Sequence, residues 1–146
     1  MLPATGVPKV SVVAEQVKAS VDKTDAAIKK YTGQTPKFFR PPNLSTSKTM
    51  YDTINKPFCE GVLGYDWDQK TSAESRAKSV LMGMSDGAII LLHDVQPSPH
   101  PTPEALDIII PELKKRGYTF VTLSELFKQK GVDPNSKKNQ MWKFVK

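Results

Sequence analysis

The chain has 146 residues, 38% of them apolar and 25% charged, enough to bury one core and to exclude whole-chain disorder. No apolar run approaches the ~18 residues of a membrane span, and a single cysteine, Cys59, excludes an internal disulfide and any cysteine-rich zinc site. The formal charge of +6 is uneven: residues 128–146 hold six lysines against Asp133 alone, whereas residues 1–127 carry 15 basic and 14 acidic groups.

Residues 1–10 read as an untied end. Leu2-Pro3-Ala4-Thr5-Gly6 has the letters of a sortase-type signal, but such signals lie near a C-terminus, and nothing at the start has the order of a signal peptide. A domain is predicted over 11–131. Its first element is an amphipathic helix over Ser11–Tyr31, with Val13, Val17, Val21, Ile28 and Tyr31 inward and Gly33 and Pro36 beyond its end. Lys37–Phe39 reads as a short strand cut off by Pro41 and Pro42, and Ser47–Asn55 as a brief helix buried through Met50 and Ile54. A strand near Cys59–Tyr65 ends in Asp66-Trp67-Asp68. Thr71 with Glu74 predicts a capping box for a helix burying Ala73, Ala77, Val80, Leu81 and Met84.

Asp86-Gly87 turns into Ala88–Leu92, an unbroken apolar run of the kind found in strands covered on both faces, which leads into His93-Asp94 and a proline-rich loop. Thr102 is predicted to cap the next helix, with Pro103 first in it, Leu106, Ile109, Ile110 and Leu113 inward and Gly117 closing it. Tyr118–Val121 reads as a strand, and Thr122 with Glu125 repeats the capping box for a helix ended by Gly131. Residues 132–146 form a basic C-terminal tail. Its lysines come without arginines or a stacking platform, so no nucleic-acid partner and no membrane partner are expected. Four alternations of strand and helix predict an α/β fold with parallel strands, the C-terminal portion of a deformed (β/α) barrel. A closed barrel needs roughly 250 residues, more than the chain has.

In parallel α/β folds chemistry gathers at the C-terminal ends of the strands. Three strands end in polar or rigid clusters: Arg40-Pro41-Pro42-Asn43, Asp66-Trp67-Asp68 and His93-Asp94. Taken singly, each has a bland reading, as a surface ion pair for Arg40, core filling for Trp67 and a strand-end cap for His93. Together they place an arginine, a carboxylate and an imidazole at one expected mouth. A histidine beside a carboxylate suits general acid catalysis, and an arginine suits a carboxylate partner or an anionic intermediate. His93 and His100 form no recognised metal-ligand spacing, and two histidines alone make an incomplete site.

Phe38-Phe39-Arg40-Pro41-Pro42, Asp66-Trp67 and Leu91-Leu92-His93-Asp94, in this order and these contexts, resemble the last three of five motifs of the polysaccharide deacetylases, the NodB-homology group or carbohydrate esterase family 4. The likeness runs from about Val17 to Leu126, and the text around Gly64–Trp67 and His93–Pro97 is most like the acetylxylan esterase branch. The resemblance implies a hydrolase that removes acetyl groups from a polysaccharide, acetylated xylan or an N-acetylated glycan, outside the cell. It implies His93 as general acid, Asp66 as the carboxylate that orients it and raises its pKa, and Arg40 as the partner of the catalytic base. Leu91 and Trp67 would line a pocket for the acetyl methyl. Asn43 stands where the family usually has an aromatic residue, and keeps the backbone N–H of an oxyanion hole.

In that family a divalent metal, often zinc or cobalt, activates the attacking water. A paired aspartate and a His-x-x-x-His segment supply base and ligands, and neither motif occurs in these 146 residues. The expectation is a chain with only the general-acid half of the site, no metal ligands of its own, and an uncovered sheet edge through which it could self-associate. Two other readings stand beside it: a non-catalytic carbohydrate- or partner-binding remnant of that fold, and a basic-tailed interaction module.

Overall fold

The computed structural model describes residues 10–146, and of residues 10–12 only the backbone. The expectation of an untied end and the sortase-like letters fall outside the described residues, apart from Val10. The chain divides into two compact units. One holds the described residues up to Cys59 with Lys137–Met141, and the other holds Glu60–Ser136 with Trp142–Lys146.

The first unit opens with α1 (Val10–Thr32), which Gly33 ends in a left-handed conformation with its N–H on the Lys29 carbonyl. Val13, Val17 and Val21 are half-buried, as their spacing predicts. Ile28 at 40% and Tyr31 at 82% exposure are not core residues, contrary to expectation, because none of the described residues of this unit covers them. Ser47 caps α2 (Lys48–Thr53), its hydroxyl accepting from the Met50 N–H at 3.2 Å. Phe39 forms only a parallel bridge to Phe58 in β1 (Phe58–Cys59), and the Phe58 ring packs edge-on to Phe39 and tilted against Tyr51. Burial pushes the neighbouring Cys59 thiol up to about 11, so it is a protonated apolar side chain at neutral pH.

In the second unit, β2 (Val62–Leu63) pairs in parallel with β3 (Ile90–Leu91), Leu63 beside Leu91. The α/β class and parallel pairing agree with the sequence, and among the described residues the strands form two-stranded sheets and no closed barrel. Helices α3 (Ala73–Gly83) and α4 (Thr102–Lys115) bury Ala77 and Val80 against Ala105, Ile109 and Leu113, with Ile90 and Leu92 packed on them. The cap of α3 is Ser72, one residue later than predicted. Thr122 caps α5 (Leu123–Lys130) as predicted, and Gly131 closes it at φ 63°. Tyr118–Val121 is not a strand. It has no ladder partner among the described residues, and Phe120 and Val121 are exposed.

The basic C-terminal segment is not a solvated tail. It includes β4 (Met141–Trp142), and it returns to the second unit, where Trp142 is buried edge-on against Phe127 and donates its indole N–H to the Pro134 carbonyl. Ile89 and Val145 donate to the carbonyls of Lys143 and Gly87, and Val145 is fully buried. Lys137, Lys138 and Lys146 are exposed, while Trp142 and Val145 between them fill the core. Gly87 is required by this packing: at φ 77°, a Cβ there would lie 2.0 Å from the Val145 carbonyl oxygen.

Candidate functional site

Parallel pairing puts the C-terminal ends of β2 and β3 at one edge, and this brings Asp66 and His93 together. The turn after β2 places Tyr65 at φ 54°, a costly conformation for an aromatic residue. It points Asp66 inward, 1% exposed, and leaves Tyr65 and Trp67 half-exposed with ring centroids 5.2 Å apart. Asp66 Oδ1 accepts from His93 Nδ1 at 2.9 Å, and Oδ2 accepts from the His93 backbone N–H at 2.6 Å and the Thr102 hydroxyl at 3.1 Å. Burial pushes the Asp66 carboxyl up, but these bonds and the charge of the neighbouring ring outweigh it, and the pKa lies below the ordinary carboxylate value.

An ionised carboxylate only accepts, so the proton between Asp66 and His93 resides on Nδ1. The His93 side chain is 32% exposed and its Nε2 makes no hydrogen bond among the described residues. The dyad therefore presents one proton-transfer atom at the mouth, on a ring fixed from behind.

A further layer supports it. Arg76 of α3, fully buried, donates Nη1 to Thr102 Oγ1 at 2.9 Å, Nη2 to the Asp68 carbonyl at 3.1 Å and Nε to both oxygens of Thr71. His100 sits between Arg76 Nη1, 3.3 Å from its Nδ1, and the His93 carbonyl, 3.0 Å from its Nε2. Thr102 was expected as a helix cap, but it makes no capping bond, because Pro101 occupies that position and the hydroxyl is committed to Asp66. Arg76 could have been found from sequence. It stands three residues after Ala73 and four before Val80, a charged side chain at a core position of the helix.

The remaining expected site residues divide between the units. Leu91 is buried in β3 with the Gly61 backbone close against it, and Trp67 stands on the loop after β2. Arg40 and Asn43 belong to the first unit, both exposed, Asn43 in the left-handed region at φ 52°, which asparagine tolerates better than an aromatic residue. Replacing the exposed Arg40 by methionine is expected to change stability by no more than about 0.5 kcal/mol, read from urea midpoints. A loss above about 2 kcal/mol would reveal a buried partner.

Among the described residues, no three His, Cys, Asp or Glu side chains converge. His93 Nδ1 is committed to Asp66, and both nitrogens of His100 are engaged. These residues do not fit a divalent metal. An open groove of about 490 Å³ between α3 and α4, lined by Ala77, Leu81, Met82 and Ile108, contains none of the dyad or its supports. Among the described residues no helix is long and apolar enough to cross a membrane.

Comparison with known proteins supplies a context. The family model described as Polysaccharide deacetylase matches residues 9–57, before Asp66 and His93. The bifunctional xylanase/deacetylase of Pseudobutyrivibrio xylanivorans is 49% identical over 133 residues, which are 91% of this chain and 22% of that protein. The peptidoglycan-N-acetylglucosamine deacetylase PgdA of Listeria monocytogenes is 35% identical over 117 residues, 80% of this chain and 24% of that one. A family 4 acetyl xylan esterase from Clostridium thermocellum, solved in complex with a cobalt ion, superposes with a TM-score of 0.86 at 56% identity, over 90% of this chain and 64% of that one. The chain thus spans under a quarter of these two curated relatives and under two thirds of the solved structure.

Proposed function

We propose that the chain carries part of a polysaccharide deacetylase domain, the family with which it shares sequence and fold, and that it supplies the general-acid half of a site removing acetyl groups from a polysaccharide. Acetylated xylan is the favoured substrate, because the xylanase/deacetylase and the acetyl xylan esterase share 49% and 56% identity with it, against 35% for the peptidoglycan deacetylase. On the same reading the protein works outside the cell. The observation that carries the reading is the 2.9 Å contact between the buried Asp66 carboxylate and His93 Nδ1, which leaves Nε2 to hand a proton to the departing sugar oxygen or amine. Trp67 and Leu91 would receive the acetyl methyl, and by the family resemblance alone Asn43 keeps the role of oxyanion N–H donor and Arg40 that of partner to the base. Self-association through an open sheet edge belongs to the same proposal.

Base and zinc- or cobalt-binding residues would have to come from outside this chain's own set. A catalytic metal lowers the pKa of water from 15.7 to about 7, up to ~8 orders of magnitude in hydroxide at neutral pH. A positioned general acid contributes about 10²–10⁴-fold. His93 and its supports cannot make up that difference. The pure 146-residue chain is therefore expected to release no acetate from acetylated xylan above background, with or without added Co²⁺ or Zn²⁺. Robust metal-dependent release would overturn this division of labour.

The half-exposed Tyr65 and Trp67 beside the dyad favour a second reading, a carbohydrate-binding remnant without turnover. In that case acetylated xylo-oligosaccharides should shift the Trp67 and His93 resonances while no acetate appears.

A further inference from the structure

We propose that Thr102, Arg76 and His100 are positioning residues: Arg76 and His100 orient the Thr102 hydroxyl, which anchors the ionised Asp66 carboxylate against His93 Nδ1 and so keeps Nε2 of His93 facing the mouth. Donor and acceptor capacity sets each direction. Arginine only donates, so Thr102 Oγ1 accepts from Arg76 Nη1 at 2.9 Å and its own O–H is left to donate. Asp66 Oδ2 lies 3.1 Å away and His100 Nδ1 3.5 Å away, and the carboxylate is the nearer and stronger acceptor. His100 Nε2 faces the His93 carbonyl, which only accepts, so that nitrogen carries the ring proton. Its Nδ1 is then bare and takes the second Arg76 contact.

The chain of bonds runs one way, from Arg76 through Thr102 into Asp66, where it meets the Nδ1–H of His93. The same guanidinium holds the loop bearing Asp66 at the Asp68 and Thr71 carbonyls, so position and polarity have one source. The two histidines are thereby set in opposite tautomers, Nδ1–H on His93 and Nε2–H on His100. The catalytic meaning of this arrangement rests on the proposed function; the arrangement itself does not.

The protein has only two histidines, so long-range ¹H–¹⁵N spectra of the labelled full chain read both rings directly, with a His100→Gln variant for assignment. About two pH units above the ordinary histidine pKa of about 6.5, the expected result is opposite tautomers. Equal tautomers in the two rings, or Nε2–H on His93, would overturn the proposal. Thr102→Val removes the hydroxyl that anchors Asp66 Oδ2 and keeps the shape, so the carboxylate can turn away from Nδ1, and the Nδ1–H to Nε2–H ratio of His93 should fall about tenfold. Thr102→Ser should restore it. An unchanged ratio in Thr102→Val also overturns the proposal. Should that variant not fold, Thr102→Cys, with its weaker donor, is read in the same way. No substrate is present in any of these spectra, so their outcome is separate from that of acetate release.

Discussion

Removal of residues 142–146 is expected to lower the melting temperature by about 15–30 °C or to unfold the second unit at 25 °C. The deletion takes away Trp142, 4% exposed, and Val145, fully buried. Truncating a buried tryptophan costs about 3–5 kcal/mol, and exposing a buried valine adds about 1.5–3 kcal/mol. The deletion also orphans the Ile89 N–H and the Gly87 and Glu60 backbone groups that now bond to Lys143, Val145 and Trp142. Together these rival the 5–15 kcal/mol of a whole domain, and each kcal/mol is worth several degrees at this size. Thermal circular dichroism decides the matter. A shift under about 2 °C is what a solvated lysine tail would give, and it would mean that Trp142 and Val145 contribute no packing. The charge of the segment is therefore better probed by exchanging its lysines for glutamine than by deletion.

That segment shows where composition misleads. Six lysines in nineteen positions dominate any count over 128–146, yet the burial of Trp142 and Val145 depends on what Gly87 and Phe127 offer them, which no local pattern records. The strands failed for a related reason. Ala88–Leu92 and Cys59–Tyr65 have the right residues, but a ladder exists only where a partner runs alongside, and the parallel ladder between them is confined to Val62–Leu63 and Ile90–Leu91. Helices, whose bonds are internal, were legible nearly to the residue: α1 differs from its predicted span by one residue at each end. At the site, the motifs exposed His93 and Asp66, since each ends a strand with chemistry a core has no use for. Thr102 was hidden by a competing use of the same side chain, a helix cap, and Arg76 by the assumption that charged helix residues face water.

Substitution of Asp66 should be the most damaging single change at the site. In Asp66→Leu, the His93 backbone N–H, its Nδ1–H and the Thr102 hydroxyl all lose their acceptor, and the fully buried Arg76 loses the carboxylate that balances it through Thr102. Breaking a buried charged network from one side costs about 3–5 kcal/mol. Asp66→Asn keeps the shape but turns an N–H₂ toward one of those three donors, for about 1–3 kcal/mol. The pH dependence identifies the cause. Asp66 titrates below its unfolded value of about 3.9, so its ionisation stabilises the fold fully above that pH and progressively less as pH falls through the folded value. Asparagine has no such term. The gap in urea midpoint between wild type and Asp66→Asn should thus be widest near neutrality and should shrink below about pH 4. A gap of constant size from pH 7 to pH 3 would show that the asparagine acts by sterics alone, and that the carboxylate charge does not hold His93 in place.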